Sequence, residues 1–115
     1  MSEFTTRPEI RGTFGVVAST HWLATASGMA TLEHGGNAFD AACAIGFALQ
    51  VVEPHMNGPG GEVPVLISAA GTKEIRVLSG QGPAPAKATL RAYRDLGHDR
   101  VPGTGMLPLV VPGAF

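Results

Sequence analysis

Residues Gly35 to Glu62 read GGNAFDAACAIGFALQVVEPHMNGPGGE: a glycine stop, a capped apolar helix, a proline exit and a glycine-rich loop in one run. Gly35 and Gly36 suit the end of a preceding helix, because glycine reaches the left-handed conformation that such an end requires. Asn37 restarts the chain. Its side-chain oxygen can accept from the first-turn amides, and Asp40, three residues on, can reach back and favour the positive helix end. Between Ala38 and Val52 only Asp40 and Gln50 are clearly polar, so this helix has no wide solvent face and is expected to be buried in a large body. Glu53-Pro54 forces an extended exit, since the residue before proline avoids the helical region. The loop His55 to Gly61 lacks the Gly-Lys-Ser/Thr ending of a phosphate loop and reads as a packing loop.

On the amino-terminal side, Phe14 to Ala18 is a short valine-rich run that reads as a buried strand. Ser19 or Thr20 can cap a helix running to about His34, in which Trp22, Ala26, Met29 and Ala30 recur at helical spacing and are predicted to face the core. Gly28 inside it costs about 1 kcal/mol against alanine unless another backbone packs there. With Ala24, Ala26, Ala41, Ala42 and Ala48 nearby, it points to two closely approaching helices in a helical hairpin. On the carboxyl-terminal side, Val63 to Ala69 and Glu74 to Leu78 flank a turn at residues 70–73 and predict a β-hairpin, with Pro64 at its beginning. Ser79 to Ala86 is an irregular connection. Lys87 to Leu96 predicts a short helix with Leu90, Tyr93 and Leu96 on its apolar face and Gly97 as its stop. A loop at Pro102 to Gly105 and an apolar run from Met106 to Val111 follow.

With 115 residues, 44% of them hydrophobic, and a net charge of -1, the composition fits at most one domain of a soluble globular class and excludes a basic nucleic-acid binder. The longest apolar run falls short of the roughly 20 residues of a bilayer span, and the start at Met1 lacks the basic flank and apolar core of a signal peptide. No membrane association and a cytoplasmic location are therefore expected. Cys43 cannot pair within the chain and reads as a small buried hydrophobe. His21, His34, His55 and His98 lie far apart with no metal-ligand spacing, so no metal and no cofactor are expected. Glu53 and Glu62 flank the glycine loop and are open to reading as a carboxylate pair or as unrelated surface residues. His55 reads as a loop anchor or a base, Trp22 and Tyr93 as packing residues. The order of a strand, two helices, a hairpin and a helix fits an α+β body. The helix that is apolar all round asks for partner layers, as a piece of a larger protein would.

GGNAFDAA at 35–42, VVEPH at 51–55 and GPGGE at 58–62 together resemble the amino-terminal part of the γ-glutamyltransferase (γ-glutamyltranspeptidase) family, whose members read GGNAxDAA and then VVEPxxSGxGGG. VVASTHWLATASGMATLEHGGNA is similar to that family's opening, and LSGQGPAPAKAT to its LDGRExAPxxAT segment. The resemblance runs from about Gly12 to Ala114. It implies the N-terminal nucleophile hydrolase fold, an αββα sandwich made as a precursor that cuts itself into a large and a small subunit. Residues 1–115 would be a single partial domain opening the large subunit. Their implied partners are the remainder of that subunit, the small subunit and a small-molecule amide or γ-glutamyl substrate, with a homo-oligomer left open.

Such enzymes use the threonine exposed by the cut as nucleophile and its free α-amine as base. The resemblance places that threonine beyond Phe115, so no catalytic residue is expected in this segment. Thr5, Thr6, Thr13, Thr20, Thr25, Thr31, Thr72, Thr89 and Thr104 read as caps, strand residues or turn residues. The arginine of LDGRE, which grips the donor's α-carboxylate in a two-point contact, aligns with Gln81, a neutral donor. Gly82 and Pro83 also depart from that motif, and Glu62, Val63 and Pro64 replace the usual glycines and phenylalanine. These departures resemble the divergent acylase-like branch. Gln81 is thus open to two readings, a substrate-binding residue or a loop residue bonded to backbone. Function is open among three: a γ-glutamyltransferase or glutathione hydrolase, a related acylase or amidase with a non-glutamyl substrate, and a non-catalytic fragment or binding module.

Overall fold

The structure, a computed structural model, describes residues 9–113. The expectations at Thr5, Thr6, Pro8, Ala114 and Phe115 lie outside the described residues. The chain divides into two compact units, Met1–Gly58 and Pro59–Phe115. The first holds helices α1 (Trp22–Glu33) and α2 (Ala38–Val52); the second holds strands β1 (Val63–Ser68) and β2 (Ile75–Gly80) and helix α3 (Leu90–Asp95).

In the first unit the turn between the helices forms as the glycine pair predicts. Gly35 takes φ +91°, the Gly35 amide donates to Leu32 O at 3.0 Å and the Gly36 amide to Thr31 O at 2.9 Å. These two bonds are the Schellman pattern that closes a helix through a left-handed residue. Asn37 then caps α2: its Oδ1 accepts from Phe39 N at 2.8 Å and Asp40 N at 3.2 Å, while Asp40 Oδ2 accepts from Asn37 N at 2.9 Å. This reciprocal box satisfies amides that have no partner inside the helix, and losing the Asn37 side chain costs about 1 kcal/mol.

The cap of α1 differs from expectation. His21, not Ser19 or Thr20, occupies the cap, its Nδ1 accepting from Leu23 N at 3.2 Å. Ser19 Oγ instead donates to His21 O at 2.8 Å, and Thr20 Oγ1 donates to Glu53 Oε2, tying the start of α1 to the end of α2. The packed face of α1 bears out the close approach read at Gly28 and Ala24 and not the face of Trp22, Ala26, Met29 and Ala30. The buried residues are Ala24 and Gly28, one turn apart, whereas Trp22 is 72% exposed and Ala26 is exposed. The predicted face lies on the far side of the helix. Close approach of α2 selects the stripe with the least side chain: a Cβ added at Gly28 would lie 2.6 Å from Ile45 Cδ1 and Cγ1 and 3.0 Å from Val17 Cγ1.

Residues 14–18 form no strand. They alternate, with Gly15 and Val17 half-buried and Phe14, Val16 and Ala18 exposed, as an extended segment does when one side lies on the helices. Among the described residues no strand lies alongside to complete a ladder. α2 itself buries only Ala41. Phe39, Cys43, Phe47 and Val51, each one turn beyond the last, form an exposed stripe. The expected burial of this helix and of Cys43 is therefore absent within residues 9–113, because this unit supplies no layer on that side. Gly58, expected to pack, has no atom within 4 Å of an added Cβ.

In the second unit the hairpin forms as predicted. β1 and β2 pair antiparallel from Val63↔Gly80 through Leu66↔Val77 to Ser68↔Ile75. Its turn carries Gly71 at φ +80°, with the Thr72 amide and Oγ1 both donating to Ala69 O. α3 is shorter than Lys87 to Leu96 because Thr89 caps it, its hydroxyl accepting from Ala92 N at 3.2 Å. Gly97 at φ +80° closes it, with His98 N donating to Tyr93 O and Gly97 N to Arg94 O. Of the predicted apolar face, Leu90 and Leu96 are exposed and Tyr93 is half-buried, its hydroxyl donating to Leu107 O at 2.7 Å.

Candidate active-site segment

Gln81 follows β2 directly, so the strand fixes where the residue emerges. The backbone on both sides of it is tightly held. A Cβ at Gly82 would overlap the Val111 carbonyl, and one at Gly113 would lie 2.5 Å from Gly82 N, 2.6 Å from Gly80 O and 2.8 Å from Gln81 C. Val111 N donates to Pro83 O at 3.0 Å. Residues 80–83 and 111–113 therefore run side by side at a separation that only glycine permits. Gln81 is exposed, and among the described residues its side-chain amide makes no hydrogen bond. The reading of Gln81 as a side chain bonded to backbone finds no partner there. The amide is presented outward from a pinned backbone, where it can offer both a donor and an acceptor but no charge.

Beside this segment α3 and residues 106–112 enclose a groove of about 440 Å³, walled by Ala88, Ala92, Tyr93, Leu96, Met106 and Val111, with Lys87 as its charged lining residue. Sequence reasoning treated Met106 to Val111 only as an apolar run. Its pairing with residues 80–83 was signalled by the glycines at 80, 82 and 113, spaced to let two backbones meet.

The other candidates have structural partners. The Glu53 carboxylate accepts from the Thr20 hydroxyl. The hydroxyls of Thr25, Thr31 and Thr72 bond to carbonyls three or four residues back, and that of Thr89 caps α3. Among the described residues no three His, Cys, Asp or Glu side chains come together as a metal-holding group, and no helix is long and apolar enough to cross a membrane. His55 is exposed in the loop after α2, and Trp22 stacks on His21 with ring centroids 6.2 Å apart.

This α+β piece, a close helical hairpin and an antiparallel strand pair, superposes on known structures. LmbA2991T421A superposes on 96% of it at TM-score 0.87 and 65% identity, over 19% of that chain. The γ-glutamyltranspeptidase of Helicobacter pylori, an N-terminal nucleophile hydrolase, covers 92% of it at TM-score 0.78 and 38% identity, over 31% of that chain. The fold is accordingly part of an N-terminal nucleophile hydrolase.

The gamma-glutamyltranspeptidase family model matches residues 24–115, and the chain belongs to that family. The glutathione hydrolase-like YwrD proenzyme of Bacillus subtilis is 40% identical over 89% of this chain and 19% of its own length. The acylase ACY 1 proenzyme of Pseudomonas sp. strain SE83 is 37% identical over 90% and 20%. The chain thus spans about a fifth of the length of the curated relatives it matches.

Proposed function

We propose that this chain is the opening part of the large subunit of a self-processed amide-bond-cleaving enzyme that transfers or hydrolyses γ-glutamyl groups of glutathione-type donors. Residues 1–115 act in it as a single partial domain. The threonine nucleophile and its α-amine base come from the remainder of the precursor, which is also this segment's partner. The part played here is recognition at the donor end. The observation that carries the reading is Gln81, exposed at the end of β2 on a backbone locked between Gly80 and Gly82, where the family motif has its carboxylate-gripping arginine.

A second reading, an acylase or amidase with a non-glutamyl donor, is favoured by the neutrality of that same residue. A hydrogen bond to a charged group contributes about 1.5–3 kcal/mol, against about 1 for a neutral pair, so the loss of arginine's charge to glutamine weakens a glutamyl carboxylate's hold by roughly twofold to thirtyfold. The relatives named as a glutathione hydrolase-like proenzyme and as an acylase support the two readings about equally.

The deciding experiment expresses the full-length gene, verifies cleavage into two chains, and compares γ-glutamyl-p-nitroanilide with simple acyl p-nitroanilides. Better use of acyl donors establishes the acylase reading; equal or better use of the glutamyl donor establishes the glutamyl reading and shows that the neutral Gln81 does not weaken the carboxylate's hold. The purified 1–115 segment is expected to turn over neither donor, and measurable turnover by it would overturn the assignment of the nucleophile to the remainder.

A further inference from the structure

The hairpin register brings a second polar residue to Gln81. The last paired residues are Val63 and Gly80, so the next positions outward on the two strands are Glu62 and Gln81. Both lie one residue past the ladder, each next in the chain to a member of its end pair, and both are exposed, as are Pro64, Leu66 and Val77. On the other edge of β2 the contact with Val111 to Gly113 keeps Gln81 in place. Among the described residues the ion pairs are Arg11–Glu9, Arg76–Glu74 and Arg91–Asp95, and Glu62 is in none of them. Arg76 stands opposite Ile67, five residues and about 17 Å along the strand from Gln81.

We infer that Glu62 is a specificity-determining residue acting with Gln81: the pair selects donors that place an ammonium or an uncharged hydrogen-bonding group at this position and rejects donors that place a carboxylate there. The inference rests on the second of the two readings, an acylase or amidase with a non-glutamyl donor facing Gln81, and deepens it by naming the donor class. An unpaired carboxylate about 5 Å from a second one penalises it by about fourfold at the dielectric of water and by more than a hundredfold in a protein-like one; an exposed pair falls near tenfold. A cationic group gains by the same physics.

The test uses the self-cleaved full-length enzyme and three p-nitroanilides. Glutaryl carries the carboxylate without an amine, 4-aminobutyryl the amine without a carboxylate, and butyryl neither. Relative to butyryl, Glu62→Gln is expected to raise kcat/KM for glutaryl about tenfold and to lower it for 4-aminobutyryl by a similar factor, with Glu62→Asp close to wild type. Both shifts should shrink as salt is added. Self-cleavage reports that each variant has folded. If butyryl is cleaved but neither ratio moves in Glu62→Gln, the role of Glu62 is refuted while the amidase reading stands. If the self-cleaved wild type cleaves none of the three nor the γ-glutamyl anilide, both fall.

Discussion

Gly28→Ala tests the helix contact on which the first unit depends, because two effects of known size oppose each other there. Alanine is favoured over glycine in a helix interior by about 1 kcal/mol. The new methyl group, however, would stand 2.6 Å from Ile45 Cδ1 and Cγ1, where carbon atoms ordinarily rest about 3.5–4.0 Å apart. Ile45 must move by about 1 Å, and Val17 Cγ1, 3.0 Å away, blocks part of the space. Overpacking of this kind costs about 1–3 kcal/mol, so the net change is a loss of about 1 kcal/mol. In an Ile45→Ala background the two nearest atoms are absent and Val17 Cγ1, 3.0 Å away, has the vacated space to give by a few tenths of an ångström, so the helix preference prevails and the same substitution should stabilise. Native-state hydrogen exchange on the full-length protein reads this locally: protection of α1 amides should fall about fivefold on Gly28→Ala alone and rise when it is added to Ile45→Ala. A rise in the wild-type background, or equal effects in both, would show that the helices do not meet at Gly28.

Two further outcomes follow from the same structure. Gly82→Ala sets a Cβ against the Val111 carbonyl, a backbone group that cannot rotate aside, so it should cost about 3 kcal/mol, the upper end of overpacking. Gly58→Ala, in open space and without a positive φ, should be neutral or slightly stabilising. Urea midpoints and self-cleavage yields of the full-length protein check the contrast, and equal midpoints would refute the pinned backbone beside Gln81. Cys43, exposed in this segment on the stripe of Phe39, Phe47 and Val51, should resist a thiol reagent in the folded full-length protein and react once it is denatured. Rapid reaction in the folded protein would refute the covering of that stripe.

What was legible in the sequence was local. The Schellman end at Gly35-Gly36, the Asn37–Asp40 box, the hairpin turn at Gly71 and the stop at Gly97 each depend on residues within about five positions, and each formed as read. What failed depended on neighbours distant in sequence. Trp22, Met29 and Ala30 have helical spacing, but which stripe of α1 packs was decided by α2, whose approach favoured Ala24 and Gly28. The run at 14–18 has strand composition, yet a ladder needs a second strand, and none lies beside it among the described residues. His21 took the cap because Ser19 and Thr20 had partners at Thr25 and Glu53 that a local reading does not weigh. At the candidate site Gln81 was found by motif alignment alone. That Glu62 and Gln81 each follow a member of the ladder's end pair required the strand register, and the pairing of 80–83 with 111–113 required seeing three separated glycines as one contact.

The remaining step concerns where the stability of this segment comes from. Ala24 and Ala41 are its only buried hydrophobic residues among those described, and no large side chain is fully buried. On the stripe of α2, Phe47 is 71% and Val51 78% exposed, an apolar surface of the kind that folding normally buries. Caps, turns and glycine contacts give the segment its local shape. On the function proposed above, in which the remainder of a precursor supplies covering apolar layers, substitutions along Phe39, Phe47 and Val51 are expected to act first on assembly.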